Sequence, residues 1–400
     1  MSEVAVRVRY SLLLSLVTAA VTATTGCGDA QSPTPAVDLS KLDSGNYQAV
    51  PRERQELRAP KYGPLLEAVR IGGATPLILE SDDKFSFQRY SSPERRVVPD
   101  SLPALYSMNA AEFTELTQGF ITGWTTSAER RKQPFLGRML TVQTLRFTDA
   151  SAAETAGRRL AERQAQNLPG ESVSITGFPQ ARAKWSPTKK YVDAWLVHES
   201  LVLYVHMDDP VSEPAEPAPL IETVHAVLGN QVEALKSYTP TPVDQFGSLP
   251  IDVDGLLSRT LPLEDSQKAK GYDQSTVLPG RAALHYETSP ASSKIAFEDA
   301  GVDLVSYSGA QVYRARDSAG GARLMAAMIA QNSRGWQQVE SPPGLPTVEC
   351  FETKDKKVNS SRYPPTCFIP YDRFVARITG TNVQEMRQKA AAQYKLLAFK

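Results

Sequence analysis

The sequence contains few of the residues that usually carry chemistry. Its 400 residues include three cysteines and four histidines, and 44 basic and 44 acidic side chains give a formal net charge of zero. A neutral chain has no long-range field to draw it onto nucleic acid, and no basic run is present, so nucleic-acid binding is excluded. The longest apolar run, Leu12–Ala23, is shorter than the about 20 residues that a membrane-spanning helix needs.

Common catalytic and cofactor-binding motifs are also missing. The sequence has no Gly-x-Ser-x-Gly elbow, no His-Glu-x-x-His helix, no phosphate-binding loop and no dinucleotide fingerprint. Gly320-Gly321 lies at the start of a predicted helix, where close packing explains it. We therefore predict no cofactor and no resident metal, and we favour a binding protein over an enzyme.

The N-terminus has the features of an export signal. Arg7 and Arg9 precede the run Leu12–Ala23, and small residues follow it. A positive start, a short apolar core and small residues before a cut are typical of a secretory signal. An uncleaved signal anchor is the alternative, and both place most of the chain outside the cytoplasmic membrane.

The residues after the apolar run indicate a lipid anchor. Thr24-Thr25-Gly26-Cys27 resembles the lipoprotein box of bacteria, although Thr24 stands where an aliphatic residue is usual. We predict that residues 1–26 are a lipoprotein signal peptide and that Cys27 is acylated, for example with palmitate. This lipid would hold the protein on the outer face of the cytoplasmic membrane.

The other two cysteines form an even pair. In an oxidising compartment such a pair predicts a disulfide, here between Cys350 and Cys367. Closing a loop with a sequence separation of 17 stabilises a protein by about 3 kcal/mol. A metal site would need further ligands nearby, and no histidine follows His285.

The mature chain divides by composition into four parts. Residues 27–46 are rich in small polar residues and proline and predict a flexible tether. An N-terminal module over 47–238 and a C-terminal module over 255–400 are separated by a proline-rich linker at 239–254.

The two modules share one order of predicted elements: strand, helix, strand, two-strand hairpin, helix. In the first module a capping box at Ser151 predicts a helix start, and the hairpin turns at His198-Glu199-Ser200. In the second, Asp317 or Ser318 caps the helix, and the hairpin turns at Tyr371-Asp372. The pattern predicts an internal duplication and an α+β fold of two similar modules, each a mostly antiparallel sheet with helices packed on one face.

One further segment before the first repeat predicts a helix. Ala110–Thr125 carries apolar residues at spacings of three and four, which is typical of one helical face.

Three sets of side chains are candidates for a site, each with a simpler structural explanation. The histidines are surface or capping residues unless some of them bind a metal together with Asp208 or Asp209. The acids of one proline-rich loop are solvated unless a pair does glycosidase chemistry, and the tryptophans complete the core unless they line a groove. These residues are His198, His206, His225, His285, Asp208, Asp209, Glu213, Glu216, Trp124, Trp185, Trp195 and Trp336.

The start of the mature chain resembles a known group of proteins. The segment from Val37 to Tyr47, followed by Pro51-Arg52-Glu53, is similar to the corresponding region of a family of uncharacterised lipoproteins from mycolic-acid-bearing actinobacteria. The order of domains along the chain is also similar. The resemblance implies an exported, lipid-anchored protein of two modules, and it implies no activity because the family has none assigned.

These observations favour a non-enzymatic binding or scaffold protein of the cell envelope. We expect an apolar envelope ligand in a cleft between the two modules, or a protein partner. The alternative hypothesis is an envelope hydrolase with an unrecognised catalytic set, in which polar residues with shifted pKa values would converge in one cleft. A third hypothesis is a structural or sensory ectodomain that assembles with other envelope proteins.

Overall fold

The computed structural model describes part of the chain. The described residues are 37–53, 57, 62–88, 94–99, 102, 108–133, 135–268, 275–332, 335–355 and 363–399. The predicted signal peptide, Cys27 and the first half of the predicted tether lie outside these ranges. Residues 38–400 form one compact unit. Within the described ranges, no helix combines the length and the apolar character needed to cross a bilayer.

The N-terminal module is built around one antiparallel sheet. Its strands are β1 (Phe87–Gln88), β2 (Arg96–Val97), β3 (Phe120–Glu129), β4 (Met139–Phe147), β5 (Glu171–Ile175), β6 (Phe178–Ser186), β7 (Tyr191–His198) and β8 (Leu201–Asp208). Its helices are α1 (Tyr62–Ala74), α2 (Ala110–Leu116), α3 (Ala150–Asn167) and α4 (Ala218–Leu235). The strand order is β1-β3-β4-β8-β7-β6-β5, and β2 also pairs with β3.

The C-terminal module contains a second antiparallel sheet. Its strands are β9 (Thr276–Pro279), β10 (Leu304–Tyr307), β11 (Gln311–Arg314), β12 (Trp336–Val339), β13 (Glu349–Thr353), β14 (Thr366–Tyr371) and β15 (Phe374–Thr379). Its helices are α5 (Gly280–Leu284), α6 (Pro290–Ala300), α7 (Ser318–Asn332) and α8 (Val383–Ala398). Short 3-10 helices span Leu39–Lys41, Ile78–Glu80, Val243–Ser248 and Asp265–Gln267.

The two sheets have the same topology. The order β3-β4-β8-β7-β6-β5 in the first corresponds strand by strand to β10-β11-β15-β14-β13-β12 in the second. The helix after the second strand starts in the same way in both: Asp149 accepts a hydrogen bond from Ala152 N at 2.8 Å, and Asp317 from Gly320 N at 2.7 Å. The predicted fold class, α+β with two similar antiparallel modules, is confirmed. The N-cap residue of α3 is Asp149 and not the predicted Ser151.

The helices cover both faces of the N-terminal sheet. Successive side chains of a strand point to opposite faces. Leu203 of β8 lies in a core cluster with Leu228 of α4, whereas its neighbour Val202 lies in a different cluster with Leu160 of α3. The sequence predicts helices on one face only. Helices on both faces explain why every residue of β8 except the last is buried.

The helix predicted over Ala110–Thr125 is wrong. Helix α2 ends at Leu116, and β3 begins at Phe120. Gly119 lies between them with φ of 83°, in the left-handed region that favours glycine. Strand β3 is buried on both faces, so its apolar residues do not alternate. The spacings of three and four therefore run across a helix, a turn and a strand.

The last part of the predicted tether packs on the C-terminal module. Leu42 is buried, and its carbonyl accepts a hydrogen bond from Lys395 Nζ at 2.9 Å. Asp43 Oδ2 accepts one from Gln388 Nε2 at 3.0 Å. Because apolar burial and these hydrogen bonds hold the segment on α8, residues 39–46 are part of the folded unit and not of a flexible tether.

The two modules share an apolar core. Ile71 of α1 and Trp124 of β3 lie in one cluster with Leu278 and Ala282 of the C-terminal module. A Cβ on Gly72 would lie 2.6 Å from the Trp124 ring, so the close approach of α1 to β3 requires glycine at this position.

Buried polar contacts cross the same junction. Arg95 Nε donates to the His285 carbonyl at 3.0 Å. His285 Nε2 lies 3.1 Å from the Thr75 carbonyl, which fixes the proton on this nitrogen, and Nδ1 then accepts from the Thr126 hydroxyl at 2.9 Å. Burial, helped by the charge of Arg95, lowers the pKa of His285 to about 3, so the ring is neutral.

Candidate functional site

A pocket of about 470 Å³ lies in the N-terminal module, between the second half of α3 and strands β5, β6 and β7. Its apolar wall is formed by Ala161 and Ala165 of α3 and by Leu168, which directly follows this helix. The sequence predicts a ligand cleft between the two modules. A cavity at that junction, bordered by Leu77, Gln88 and His285 among others, holds only about 10 Å³. The larger space is therefore inside one module.

A chain of buried hydrogen bonds begins beside this pocket. Trp195 Nε1 donates to Gln164 Oε1 at 2.6 Å, and Gln164 Nε2 donates to the Tyr204 hydroxyl at 2.8 Å. The Tyr204 hydroxyl donates to Asp193 Oδ1 at 2.7 Å. All four side chains are at most 5% exposed. Because each group has a partner that holds its orientation, the chain is preorganised.

The hydrogen-bond chain ends in a histidine between two carboxylates. His206 Nδ1 lies 2.6 Å from Asp193 Oδ1, and Nε2 lies 3.1 Å from Asp208 Oδ1. Burial by itself lowers the pKa of His206, but attraction to Asp193 and the hydrogen bonds to both carboxylates outweigh burial and raise the pKa to about 9. The ring is therefore an imidazolium at neutral pH.

The β7–β8 hairpin brings these groups together. Asp193 lies directly opposite His206, and Trp195 lies directly opposite Tyr204. The last two rings stack with centroids 4.1 Å apart. Alternation along each strand puts all four side chains on the face that α3 covers, and Gln164 is supplied by that helix.

Asp193 also forms the floor of the pocket. It is 5% exposed, and its Oδ1 accepts the bonds of Tyr204 and His206, whereas no described residue donates to Oδ2. Lys184 faces Asp193 from β6, lines the same pocket and makes no ion pair within the described ranges. Arg182, further along β6, lies 3.4 Å from an exposed glutamate. The pocket thus combines an apolar wall, a buried acceptor and a cation.

The other histidines lie elsewhere. His225 is exposed on α4, with Nδ1 2.6 Å from the Thr176 carbonyl, and His198 is half-buried at the end of β7. His285 lies at the junction of the modules. Among the described residues, no group of three or more histidine, cysteine or acidic side chains is arranged to hold a metal ion.

The acids of the proline-rich loop pair with separate cations. Asp208 contacts the His206 ring, Asp209 lies 2.6 Å from Arg138 Nε, and Glu213 pairs with a lysine. Neighbouring acids in sequence therefore point to different partners, and the loop acids do not converge as a glycosidase pair would.

The tryptophans belong to the core. Trp124, Trp185 and Trp336 lie in apolar clusters, and Trp195 is equally buried but borders the pocket. Cys350 and Cys367, for which the sequence predicts a bond, form a disulfide across β13 and β14.

Sequence reasoning missed Gln164, Asp193 and Tyr204. A usable signal existed for the two strand residues. The turn consists of Glu199-Ser200, one residue shorter than the predicted His198-Glu199-Ser200, and with this turn antiparallel pairing places Asp193 opposite His206. The contact from α3 left no such signal, because it depends on how the helix docks on the sheet.

The C-terminal module lacks this polar chain. The β14–β15 hairpin corresponds to the β7–β8 hairpin residue by residue. In both, two residues form the turn, and the pairs that flank it are Tyr371 with Phe374 and His198 with Leu201. The positions equivalent to Asp193, Tyr204 and His206 are occupied by Thr366, Arg377 and Thr379. The site is therefore a property of one module and not of the shared fold.

Comparisons with known proteins identify a family. The two parts of one family match most of the chain: "Domain of unknown function (DUF7373) N-terminal" over residues 55–251 and "Domain of unknown function (DUF7373) C-terminal" over residues 256–400. No curated protein matches. Among solved structures, the extracellular domain of PknH from Mycobacterium tuberculosis is similar at 13% identity and a TM-score of 0.27, covering 48% of this chain and 100% of that chain. That similarity is too low to support an inference. The match of both parts shows that the chain belongs to the DUF7373 family.

Proposed function

We propose that the protein is an exported, lipid-anchored binding protein without enzymatic activity, whose α3 pocket holds a small amphiphilic molecule of the cell envelope. The ligand would place an apolar body against α3 and a hydrogen-bond donor on Asp193. The observation that carries the proposal is the Asp193 carboxylate, which is 5% exposed and has one oxygen without a donor among the described residues, at the floor of a pocket.

The dimensions and lining of the pocket support this proposal. A volume of about 470 Å³ falls in the range of small-molecule sites, about 300 to 1,000 Å³. Such sites are mainly apolar with a few well-placed polar groups. Here Gln164 and Tyr204 hold Trp195 and Asp193 in place before a ligand arrives, which lowers the ordering cost of binding.

The state of His206 favours binding over the alternative of an envelope hydrolase. A general base works best with a pKa near the operating pH, in its unprotonated form. His206 has a pKa of about 9 and lies between Asp193 and Asp208, so it holds its proton at neutral pH. The ion pair positions Asp193 and does not accept a proton from a substrate.

The ligand can be tested with the full chain. We would purify it in mild detergent from the envelope of producing cells and identify co-purifying small molecules by mass spectrometry. Ala165→Trp fills the pocket, and Ala150→Trp is the matched control on the exposed start of the same helix, roughly 22 Å away at 1.5 Å per residue.

The expected result is one amphiphile bound to the wild type and to the control. The Ala165→Trp protein should recover at least about tenfold less of it at an unchanged melting temperature, because about 1.4 kcal/mol of lost binding is already tenfold. Equal recovery of the amphiphile with both variants, or no bound amphiphile in the wild type, would contradict the proposal.

The lipid anchor is a separate part of the proposal. It is supported by the cysteine directly after the small residues that follow the apolar run. Cells given labelled palmitate should label the wild-type chain and not the Cys27→Ala chain. Labelling of both, or of neither, would remove the anchor and leave the pocket proposal standing.

A further inference from the structure

The loop that joins β3 to β4 exposes two neighbouring apolar side chains. Phe135 is 62% exposed and Leu136 is 56% exposed. Phe135 also has φ of 64°, a left-handed conformation that phenylalanine rarely adopts. Both side chains leave apolar surface in water at a point that projects from the sheet, so any apolar environment that reaches this point stabilises them.

The same loop carries two cationic side chains. Arg131 and Lys132 are exposed and form no ion pair with a described residue. They line a shallow depression of about 450 Å³ together with Gln133 and Leu136. Positive charge and apolar surface are therefore side by side.

At the base of this hairpin, the cationic side chains form ion pairs with aspartates and the two strands are joined by a backbone hydrogen bond. Arg130 pairs with Asp82 and lies over the Phe85 ring at 4.9 Å, and Arg138 pairs with Asp209. Arg130 N donates to the Arg138 carbonyl at 3.0 Å, which closes the stem. Among the described residues of this hairpin, the cations for which the structure gives no ion pair are Arg131 and Lys132 at the tip.

The side chain of Arg131 is partly fixed by packing. A Cβ on Gly137 would lie 2.8 Å from Arg131 Cγ, so the aliphatic part of this arginine lies directly on the glycine backbone. A ligand for the tip meets a surface that loses little freedom on binding.

We propose that the hairpin tip formed by Arg131, Lys132, Phe135 and Leu136 docks on the surface of an anionic lipid bilayer. The two cations contact lipid phosphates, and the two apolar side chains enter the boundary between headgroups and acyl chains. Basic residues beside aromatic and aliphatic ones are the combination that binds such a boundary.

The geometry favours a bilayer over an acidic protein. A specific protein interface buries about 1,200 Å² or more, over some 20 residues on each side. The tip is a projecting loop with two apolar side chains, which is small for such an interface. A bilayer needs no complementary shape, because lipids rearrange around an inserted side chain.

The test uses the full chain in vesicles, with a fluorophore that reports insertion. Leu136→Cys in a Cys27→Ser background gives one labelling site, since Cys350 and Cys367 are bonded to each other. Vesicles of phosphatidylcholine alone are compared with equimolar phosphatidylglycerol and phosphatidylcholine, both with nitroxide-labelled acyl chains. The control carries the label at Ile295, which is 70% exposed on α6.

We expect quenching of the label at position 136 that rises with the fraction of anionic lipid, and no quenching at position 295. Replacing Arg131 and Lys132 by glutamine should lower the docked-to-undocked ratio about 25-fold, since each cation near an anionic surface contributes about fivefold. Equal quenching in neutral vesicles, equal quenching at both positions, or no effect of the double substitution overturns the proposal. A response to acidic envelope proteins without any to vesicles also overturns it.

Discussion

Ala183 and Ala194 face each other across β6 and β7 at the register position that Cys350 and Cys367 occupy across β13 and β14. Both alanines are buried on the side of the sheet that α4 covers. The duplicated fold therefore contains the disulfide position twice, and the sequence uses it once. The equivalence depends on the strand registers, and no sequence pattern around the two alanines indicates it.

The equivalence predicts that a second disulfide can be introduced. In the Ala183→Cys, Ala194→Cys variant the two thiols should bond as the natural pair does, and closing this short loop should stabilise the N-terminal module by up to about 3 kcal/mol. Mass spectrometry after thiol labelling without reductant should find no labelled cysteine among the introduced pair. The single Ala183→Cys variant is the control. Two labelled thiols in the double variant would show that the registers of the two modules are not equivalent.

His206 should stabilise the protein below neutral pH and lose that effect in alkali. Its pKa is raised from 6.5 when unfolded to about 9 when folded, so its contribution is complete below pH 6.5 and disappears as the pH rises through 9. The free-energy difference between wild type and His206→Gln should shrink by up to about 3 kcal/mol over that range. Denaturant unfolding at several pH values measures it. His225→Gln, at an exposed site on α4, is the control substitution.

His285 should behave in the opposite way. Its pKa is lowered from 6.5 to about 3 by burial and by Arg95, so its contribution is present above pH 6.5 and is lost as the pH falls toward 3. The wild type should lose stability in this window relative to His285→Gln, which does not titrate. The measurement is thermal unfolding of both proteins between pH 4 and 7. A constant difference between them would mean that the His285 ring is accessible to protons in the folded protein.

A buried ion pair ties the end of the N-terminal module to α1. Glu67 is fully buried, and its carboxylate accepts hydrogen bonds from Arg146 Nη1 at 2.5 Å and from Thr241 N at 3.1 Å. The Tyr238 hydroxyl donates to the same carboxylate. Burial alone raises the pKa of Glu67, but the hydrogen bonds of Tyr238 and Thr241 and the charge of Arg146 together lower it.

Removing this charge should be strongly destabilising. Glu67→Gln leaves Arg146 buried without its counter-charge, and breaking such a pair costs about 3 to 5 kcal/mol. Glu233→Gln, which removes an exposed pair with Lys236, should change the free energy of unfolding by less than about 1 kcal/mol. Denaturant unfolding of both variants compares the two sites. Similar losses would show that the Glu67 site is open to water.

Local patterns in the sequence predicted much of the architecture. The β7–β8 and β14–β15 hairpins, the closing helices and the duplicated order follow from alternation, helical spacing and turn residues, which act over a few positions. Strand β3 could not be recognised in this way because it is buried on both faces, and its apolar residues imitate a helical spacing when they are joined to Phe113 and Leu116.

The candidate site was less predictable than the fold. Asp193 and His206 follow from the hairpin register, but Gln164 comes from a helix 29 positions before Asp193, and no spacing rule connects helix docking to a strand position. The pocket lies between the second half of α3 and strands β5, β6 and β7, and its size depends on how the whole helix packs on the sheet, which no local pattern in the sequence specifies.

The core cluster shared by Ile71, Trp124 and Leu278 has a consequence for how the chain acquires its structure. Trp124 of the N-terminal sheet is covered only when Leu278, more than a hundred positions later in the chain, packs on it. Each module alone would therefore expose an apolar face to water. Contacts such as Arg95 to His285, 190 positions apart, make folding slow and cooperative. A chain cut short at the linker would thus be open to proteolysis, and only molecules with both modules would accumulate.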